Sequence, residues 1–363
     1  LELTNLTVAK TGDKVRASID VDGRELYFLF DGVDQLYAPG DMMLLACLVS
    51  AMIEGDTLTI RDDRCTVSAR LIQNLDHFQV VFCQWYDGLS PVKIVAPTVE
   101  RDRNGAGCGC LFSGGVDSVY SFVRHLNEIT HLVFCHGFDI RLNETDRFQQ
   151  AVALNRRIAS LYDKTLVVFE TNIREALPNF HTIAAHGTLL VGPALALGLR
   201  KLYVPASFTY KDLEHSGSHP LTDQLLSNEA TSVVHDTAMR RVDKIAFLGD
   251  HQEALDILRV CASEDAYNCG KCEKCLRTIV ALELLALKSK SLPPLSEAMA
   301  DLKRLKLYSE RDYTFWYENY QLAQRRNHVA LTKITRDICR SFMTRRYLKR
   351  LYEMHFGDQI YEK

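Results

Sequence analysis

Apolar and polar positions alternate through residues 1–97, as in Val15-Arg16-Ala17-Ser18-Ile19-Asp20-Val21 and Leu26-Tyr27-Phe28-Leu29-Phe30. A period of two marks a half-buried strand, and turn signals at Thr11-Gly12-Asp13, Asp22-Gly23, Asp31-Gly32 and Pro39-Gly40 separate the runs. Met42 to Met52 is the one helix predicted in this stretch, so 1–97 is predicted to be a small β-rich accessory domain. Both periodicities fail around Pro97, Arg101 to Asn104 and the glycines up to Gly109, and 98–107 is predicted to be a linker.

Beyond it the pattern becomes strand, helix, strand, helix. Strands are predicted at Cys108 to Phe112, His131 to Gly137, Thr165 to Glu170 and Lys201 to Ala206; helices are predicted at Val116 to Glu128, Arg147 to Tyr162 and Thr182 to Leu197. Such alternation implies an α/β fold, a doubly wound parallel sheet covered on both faces. Ligands of these sheets sit beyond the carboxyl ends of the strands, where Ser113, Phe138-Asp139 and Ser207 fall. A helix from Leu276 to Lys288 ends before Pro293-Pro294, so the α/β domain is assigned 108–290 and a helical, basic extension 291–363.

Leu111-Phe112-Ser113-Gly114-Gly115-Val116-Asp117-Ser118 lies where the first of these strands turns into its helix. The glycines permit positive-φ bends that aim successive backbone N–H groups at one anion, and the positive end of the helix adds to that cradle. Ser113 and Ser118 offer hydroxyl donors, while Asp117 suits a helix cap or a Mg²⁺ ligand. A lysine before the last hydroxyl, as the Walker A loop demands, is missing. The plain alternative is a glycine turn with a serine cap.

Length and composition narrow the class. A chain of 363 residues implies two or three domains, and 47% apolar with 25% charged residues is ordinary for a globular protein. A net charge of -3 gives no global case for nucleic acid or a membrane. The apolar stretch Leu189 to Leu199 is broken by Gly192, Pro193 and Gly198 and is too short to span a bilayer, and the amino end shows no basic-then-apolar leader. Eleven cysteines, an odd number with four clustered, favour a reducing compartment and a cytoplasmic location; Cys47, Cys83, Cys135 and Cys339 read as core residues.

The clustered four, Cys261, Cys269, Cys272 and Cys275, follow C(x7)C(x2)C(x2)C with turn residues between them. Four thiolates so spaced can close a tetrahedral Zn²⁺ site with no open position, a structural metal. An iron–sulfur cluster, a redox dithiol and four unliganded cysteines are the other readings. Glu264, Asp265, Glu273 and Lys274 beside them argue against apolar burial.

Ser113-Gly114-Gly115-Val116-Asp117-Ser118 resembles the SGGxDS signature of the PP-loop ATP pyrophosphatases, matching every specified position. With the late cysteine loop, the chain is similar over residues 108–285 to the 7-cyano-7-deazaguanine synthase family of that superfamily. The resemblance implies an ATP-dependent C–N ligase with ATP, Mg²⁺ and Zn²⁺ as cofactors. A small-molecule carboxylate attacks the α phosphorus, pyrophosphate leaves, and ammonia or an amine displaces AMP. It places nucleotide on 113–118, with Asp139 and Ser207 at the neighbouring strand ends. Val242-Asp243-Lys244 resembles the family's Asp-Lys, which gives Lys244 a role toward phosphate or developing charge. The family has no counterpart of 1–97 or of the basic tail, and His186-Gly187-Thr188 stands where it has Pro-x-Arg-Asn.

Tyr210, Lys211, His215, His219 and Asp223 lie in or just after one Gly-containing loop following a strand, suited to substrate contact or simply solvated. His235-Asp236 at the end of a short strand reads as an acid–base pair or a structural one. From Leu302 to Arg350, 13 Lys or Arg stand against 4 Asp or Glu, interleaved with Tyr308, Tyr313, Phe315, Trp316, Tyr317 and Tyr320. That pattern suits an RNA backbone and its bases, hence the alternative of a tRNA-modifying sulfur transferase, or else an amphipathic bundle with solvated charges. An ATP-sensing scaffold without catalysis is the third reading. A protein or RNA partner would use 1–97 or the basic helices, a homodimer is a further expectation, and no membrane is involved.

Overall fold

The computed structural model describes all residues except 103–104, 178, 182, 237–238, 262–265 and 357–363, and the backbone alone over 350–356. It forms two compact units, Leu1–Ala238 and Met239–Lys363.

The first unit opens with three antiparallel strands, β1 (Glu2–Thr11), β2 (Lys14–Val21) and β3 (Arg24–Asp31), joined by the expected tight turns. Then come α1 (Pro39–Glu54), β4 (Leu58–Ile60), β5 (Val67–Ser68), α2 (Ala69–Trp85), β6 (Ile94–Val95) and β7 (Thr98–Val99). The α/β stretch follows as β8 (Cys108–Leu111), α3 (Val116–Arg124), β9 (His131–His136), α4 (Thr145–Leu161), β10 (Thr165–Thr171), α5 (Ile173–Ala176), α6 (His186–Leu195), β11 (Lys201–Pro205) and β12 (Ser232–Asp236). These agree with the sequence reading to within a few residues, except that α6 starts after the expected Thr182, which lies outside the described residues.

One sheet runs β12-β11-β8-β9-β10-β3-β2-β1-β4-β6, and β5 and β7 form a separate parallel pair. Strands β8 to β12 are all parallel, and the order reverses between β8 and β11, as in a Rossmann-like α/β sheet. Alternation along each strand covers both faces. Leu111, Val133, Phe169 and Val204 join the core shared by α1 and α6, while Phe112 meets Phe122 at 5.6 Å and Phe134 meets Phe148 at 5.9 Å on the face of α3 and α4. At Gly192 a Cβ would lie 3.2 Å from the Met42 carbonyl, so the missing side chain lets α6 approach α1.

Residues 1–97 are part of this unit. β3 pairs antiparallel with β10, Phe30 opposite Phe169, and both Phe28 and Phe30 pack on Phe169 at 6.2 and 5.7 Å. The stretch also holds a second long helix, α2, whose Leu71, Leu75, Phe78 and Phe82 are buried. Arg101 and Gly105 of the expected linker also make close contacts with this unit. Arg101 donates to the Thr66 carbonyl at 2.8 Å and meets the fully buried Asp41 at 3.4 Å, and a Cβ on Gly105 would lie 2.8 Å from the Arg200 nitrogen. Here glycine serves close backbone approach rather than looseness. The division into compact units falls at Ala238/Met239, so 108–238 and the cysteine loop belong to different units.

Asp41 ties these pieces together, accepting also from the Ser68 nitrogen and from Asn228 Nδ2, each at 2.8 Å. Burial raises its carboxyl above the usual range against the pull of Arg101. Asp41→Ala would strand two buried donors, Ser68 and Asn228, and take the carboxylate from Arg101, and we expect a loss of about 3–5 kcal/mol in urea unfolding; a change within 1 kcal/mol, roughly a surface substitution, would contradict this.

The second unit is helical: α7 (Arg241–Phe247), α8 (Gln252–Leu255), α9 (Glu273–Leu284), α10 (Leu295–Arg304), α11 (Glu310–Arg325) and α12 (Val329–Phe356). Of the aromatics read as an RNA platform, Phe315 and Trp316 are core residues; Trp316 Nε1 donates to Glu273 at 2.9 Å and Arg277 stacks over Phe315 at 4.2 Å. Tyr308 and Tyr317 are exposed.

Candidate functional site

β8 ends at Leu111, Phe112 still donates its N–H to the Val133 carbonyl, and the chain then turns through Ser113 and Gly114 into α3. Gly114 has φ 77°, a left-handed conformation that costs an L-residue roughly 1–2 kcal/mol. Gly115 is the N-cap, and no side chain caps the helix. The first amides of α3 are thus left to a turn lined by hydroxyls. Ser113 Oγ lies 3.3 Å from Ser118 Oγ and accepts from the Gly115 nitrogen at 3.3 Å, while Ser118 donates to the Gly115 carbonyl at 3.0 Å. Ser113 is exposed and Ser118 buried. The result is one accessible hydroxyl beside a helix start, held by a second, buried one.

The turn stands where the strand order reverses, because β8 neighbours β11. Ser207, two residues past β11, donates to Asp117 Oδ2 at 2.9 Å and closes the other side. Five residues singled out in the sequence thus fall into two hydrogen-bonded groups, Ser113, Gly115 and Ser118 within the turn and Asp117 with Ser207, at the crevice that doubly wound sheets use for ligands. No family model, curated protein or solved structure matches the chain. Asp139 is exposed in the tight turn after β9, where Gly137 donates to the Ile140 carbonyl at 2.8 Å. Lys244 belongs to α7 of the second unit and is fully buried.

The loop after β11 separates its candidates. Tyr210 and Lys211 are exposed. His215 stacks on Trp85 at 5.1 Å, and His219 meets the edge of the same indole at 4.8 Å. His219 is pushed below the ordinary imidazole range, first by burial and then by His235. Asp223 is fully buried and accepts from Ser218 Oγ at 2.8 Å, from the His219 nitrogen at 3.1 Å and from His235 Nδ1 at 2.6 Å.

His235 therefore pairs with Asp223 and not with the adjacent Asp236. Consecutive strand residues point to opposite faces. Asp236 lies toward α3, 3.4 Å from Arg124 and 3.3 Å from His125. Neither the His235–Asp223 contact nor Trp85 was readable as part of the site. The pair is separated by a loop and a turn, and Trp85 ends a helix that the alternation pattern concealed.

In the second unit the four cysteines converge, their sulfurs all within 4.8 Å of one another. Cys261 and Cys272 Sγ are 3.7 Å apart, the edge of a tetrahedron with metal–sulfur bonds of about 2.3 Å (roughly 3.8 Å). The Cys269 nitrogen donates to Cys261 Sγ at 3.4 Å and the Cys272 nitrogen to Cys269 Sγ at 3.3 Å, the bonds that thiolate ligands accept. Cys272 is pulled down to about 4, first by the hydrogen bond from Cys275, while Cys275 is pushed up. This group can hold one metal ion such as zinc. An iron–sulfur cage, which spreads its thiolates over separate irons, needs them further apart. Acidic neighbours Glu264 and Asp265 lie outside the described residues.

Proposed function

We propose that this chain is an ATP-dependent adenylate-forming ligase of the PP-loop pyrophosphatase kind, its first unit a doubly wound sheet like those of the adenine-nucleotide α-hydrolases. The observation that supports this reading is the hydroxyl-lined turn 113–118 at the β8/β11 reversal, with uncapped helix amides and the Ser207–Asp117 bond. A pyrophosphate leaving group needs several N–H and O–H donors placed around one point before charge develops, and this turn gathers the exposed Ser113 hydroxyl and the first amides of α3 at one place, with Ser118 behind them.

A carboxylate oxygen attacks the α phosphorus, the α–β bridge breaks, and pyrophosphate departs held by Ser113, Ser118 and the amides of 114–118. Ammonia or an amine then attacks the acyl carbon and AMP leaves, giving an amide. Asp117, fixed by Ser207, is the carboxylate available to Mg²⁺, which would neutralise phosphate charge; the cysteine site has no part in these steps and would hold zinc structurally. Incubation with ATP, Mg²⁺, ammonium chloride and 7-carboxy-7-deazaguanine is expected to yield AMP, pyrophosphate and an amide by mass spectrometry, or a nitrile where a second ATP adenylates the amide oxygen and it departs with AMP. ADP and phosphate as the products would overturn the reading.

A further inference from the structure

His235 makes one strong hydrogen bond and leaves its other nitrogen without a partner. Its side chain is 7% exposed, and Nε2 is buried with no hydrogen bond. The three groups around Asp223 are all donors, so its carboxylate takes the Nδ1 hydrogen of His235 and the lone pair of the neutral ring stands on Nε2. His219 cannot supply the missing hydrogen bond through Nδ1, which accepts from the Leu221 nitrogen at 3.1 Å. A buried basic nitrogen, oriented by a buried carboxylate, is arranged to receive a proton from a group not yet bound.

Position agrees with this. Val204 is the β11 residue opposite His235, and the preceding Tyr203 is opposite Cys110 on β8, so His235 is level with the last residues of the strand that leads into Ser113. Two strand spacings, about 10 Å, separate β12 from β8. An adenylate reaching from the phosphate turn along the strand ends can present its acyl carbon within that span. Trp85, stacked on His215 and edge-on to His219, buttresses the residue whose nitrogen bonds Asp223.

We propose that Asp223 and His235 form the proton acceptor for the second half-reaction, in which an amine attacks the acyl adenylate; this rests on the ligase reading above. His235 Nε2 takes a proton from the bound ammonium and frees the nitrogen lone pair, the nitrogen–carbon bond forms, the bond from the acyl carbon to the AMP oxygen breaks, the nitrogen's second proton passes to water, and AMP leaves as the anion. Asp223 remains unprotonated and fixes the ring.

The test uses the full chain with 7-carboxy-7-deazaguanine, ATP and Mg²⁺. In His235→Gln, amide formation from ammonium chloride is expected to fall roughly 100-fold or more, while ATP–pyrophosphate exchange persists and hydroxylamine, unprotonated at neutral pH, restores acyl transfer. Equal loss with both acceptors, or loss with neither, would overturn the proposal. Absence of exchange in the wild type would instead count against the ligase reading. Independently of any substrate, the imidazole ¹⁵N spectrum of the wild type at pH 8 is expected to show His235 protonated on Nδ1 and bare on Nε2, with the two forms mixing in Asp223→Asn. A hydrogen on Nε2 in the wild type would overturn the proton-acceptor role.

Discussion

Replacing Gly114 with valine is expected to lower AMP formation at least about 100-fold, the scale of losing one aligned oxyanion donor. The effect on stability should be much smaller. Gly114 sits at φ 77°, and forcing a β-branched residue there costs about 1–2 kcal/mol, or a few degrees in the unfolding midpoint. The turn can relieve that strain only by rotating the 114–115 amides away from the Ser113–Ser118 pair. Gly115, at φ -75°, lies in a region open to every residue, so strain is confined to Gly114. Pyrophosphate release beside a thermal melt checks both halves, and full turnover in a folded Gly114→Val protein would remove the turn from the chemistry.

Cys275→Ala is expected to cost the second unit its metal and several kcal/mol of stability. Structural zinc contributes roughly 10–16 kcal/mol of apparent binding free energy in small peptides, but here α9 also packs on α11 through Trp316 and Glu273, so only part of that is at stake. Elemental analysis should find one zinc per chain in the wild type and less than a tenth of that, about a tenfold affinity loss or more, in the variant. Proteolysis within 261–275 should accelerate. Thiolate ligands compete with protons, so the wild type should also release metal as the pH falls. Iron in place of zinc, or unchanged stability on its loss, would contradict a structural zinc site.

Much of the first unit was legible because each strand of β8 to β11 is a short apolar run bounded by turn residues. Chemistry that lies within one turn was legible for the same reason. The hydroxyls of 113–118 are five residues apart and must meet once strand and helix form, and the cysteines are held close by C-x-x-C spacing. Distant pairings carry no local signal. Nothing in Leu26 to Phe30 says that its partner is β10, so the strands of 1–31 read as another domain. The glycines of 98–107 read as a linker between domains because turns and close backbone approach use the same residue. The adjacency of His235 and Asp236 suggested a pair that strand pleating forbids, while Asp223 reaches His235 only after β12 has been laid beside β11.

The most direct measurement is a crystal structure with α,β-methylene-ATP and Mg²⁺, which binds as ATP does but resists cleavage between the first two phosphates. The β and γ phosphates are expected against the amides of 114–118 and the hydroxyls of Ser113 and Ser118. A triphosphate bound elsewhere, with that turn vacant, would contradict the role assigned to it.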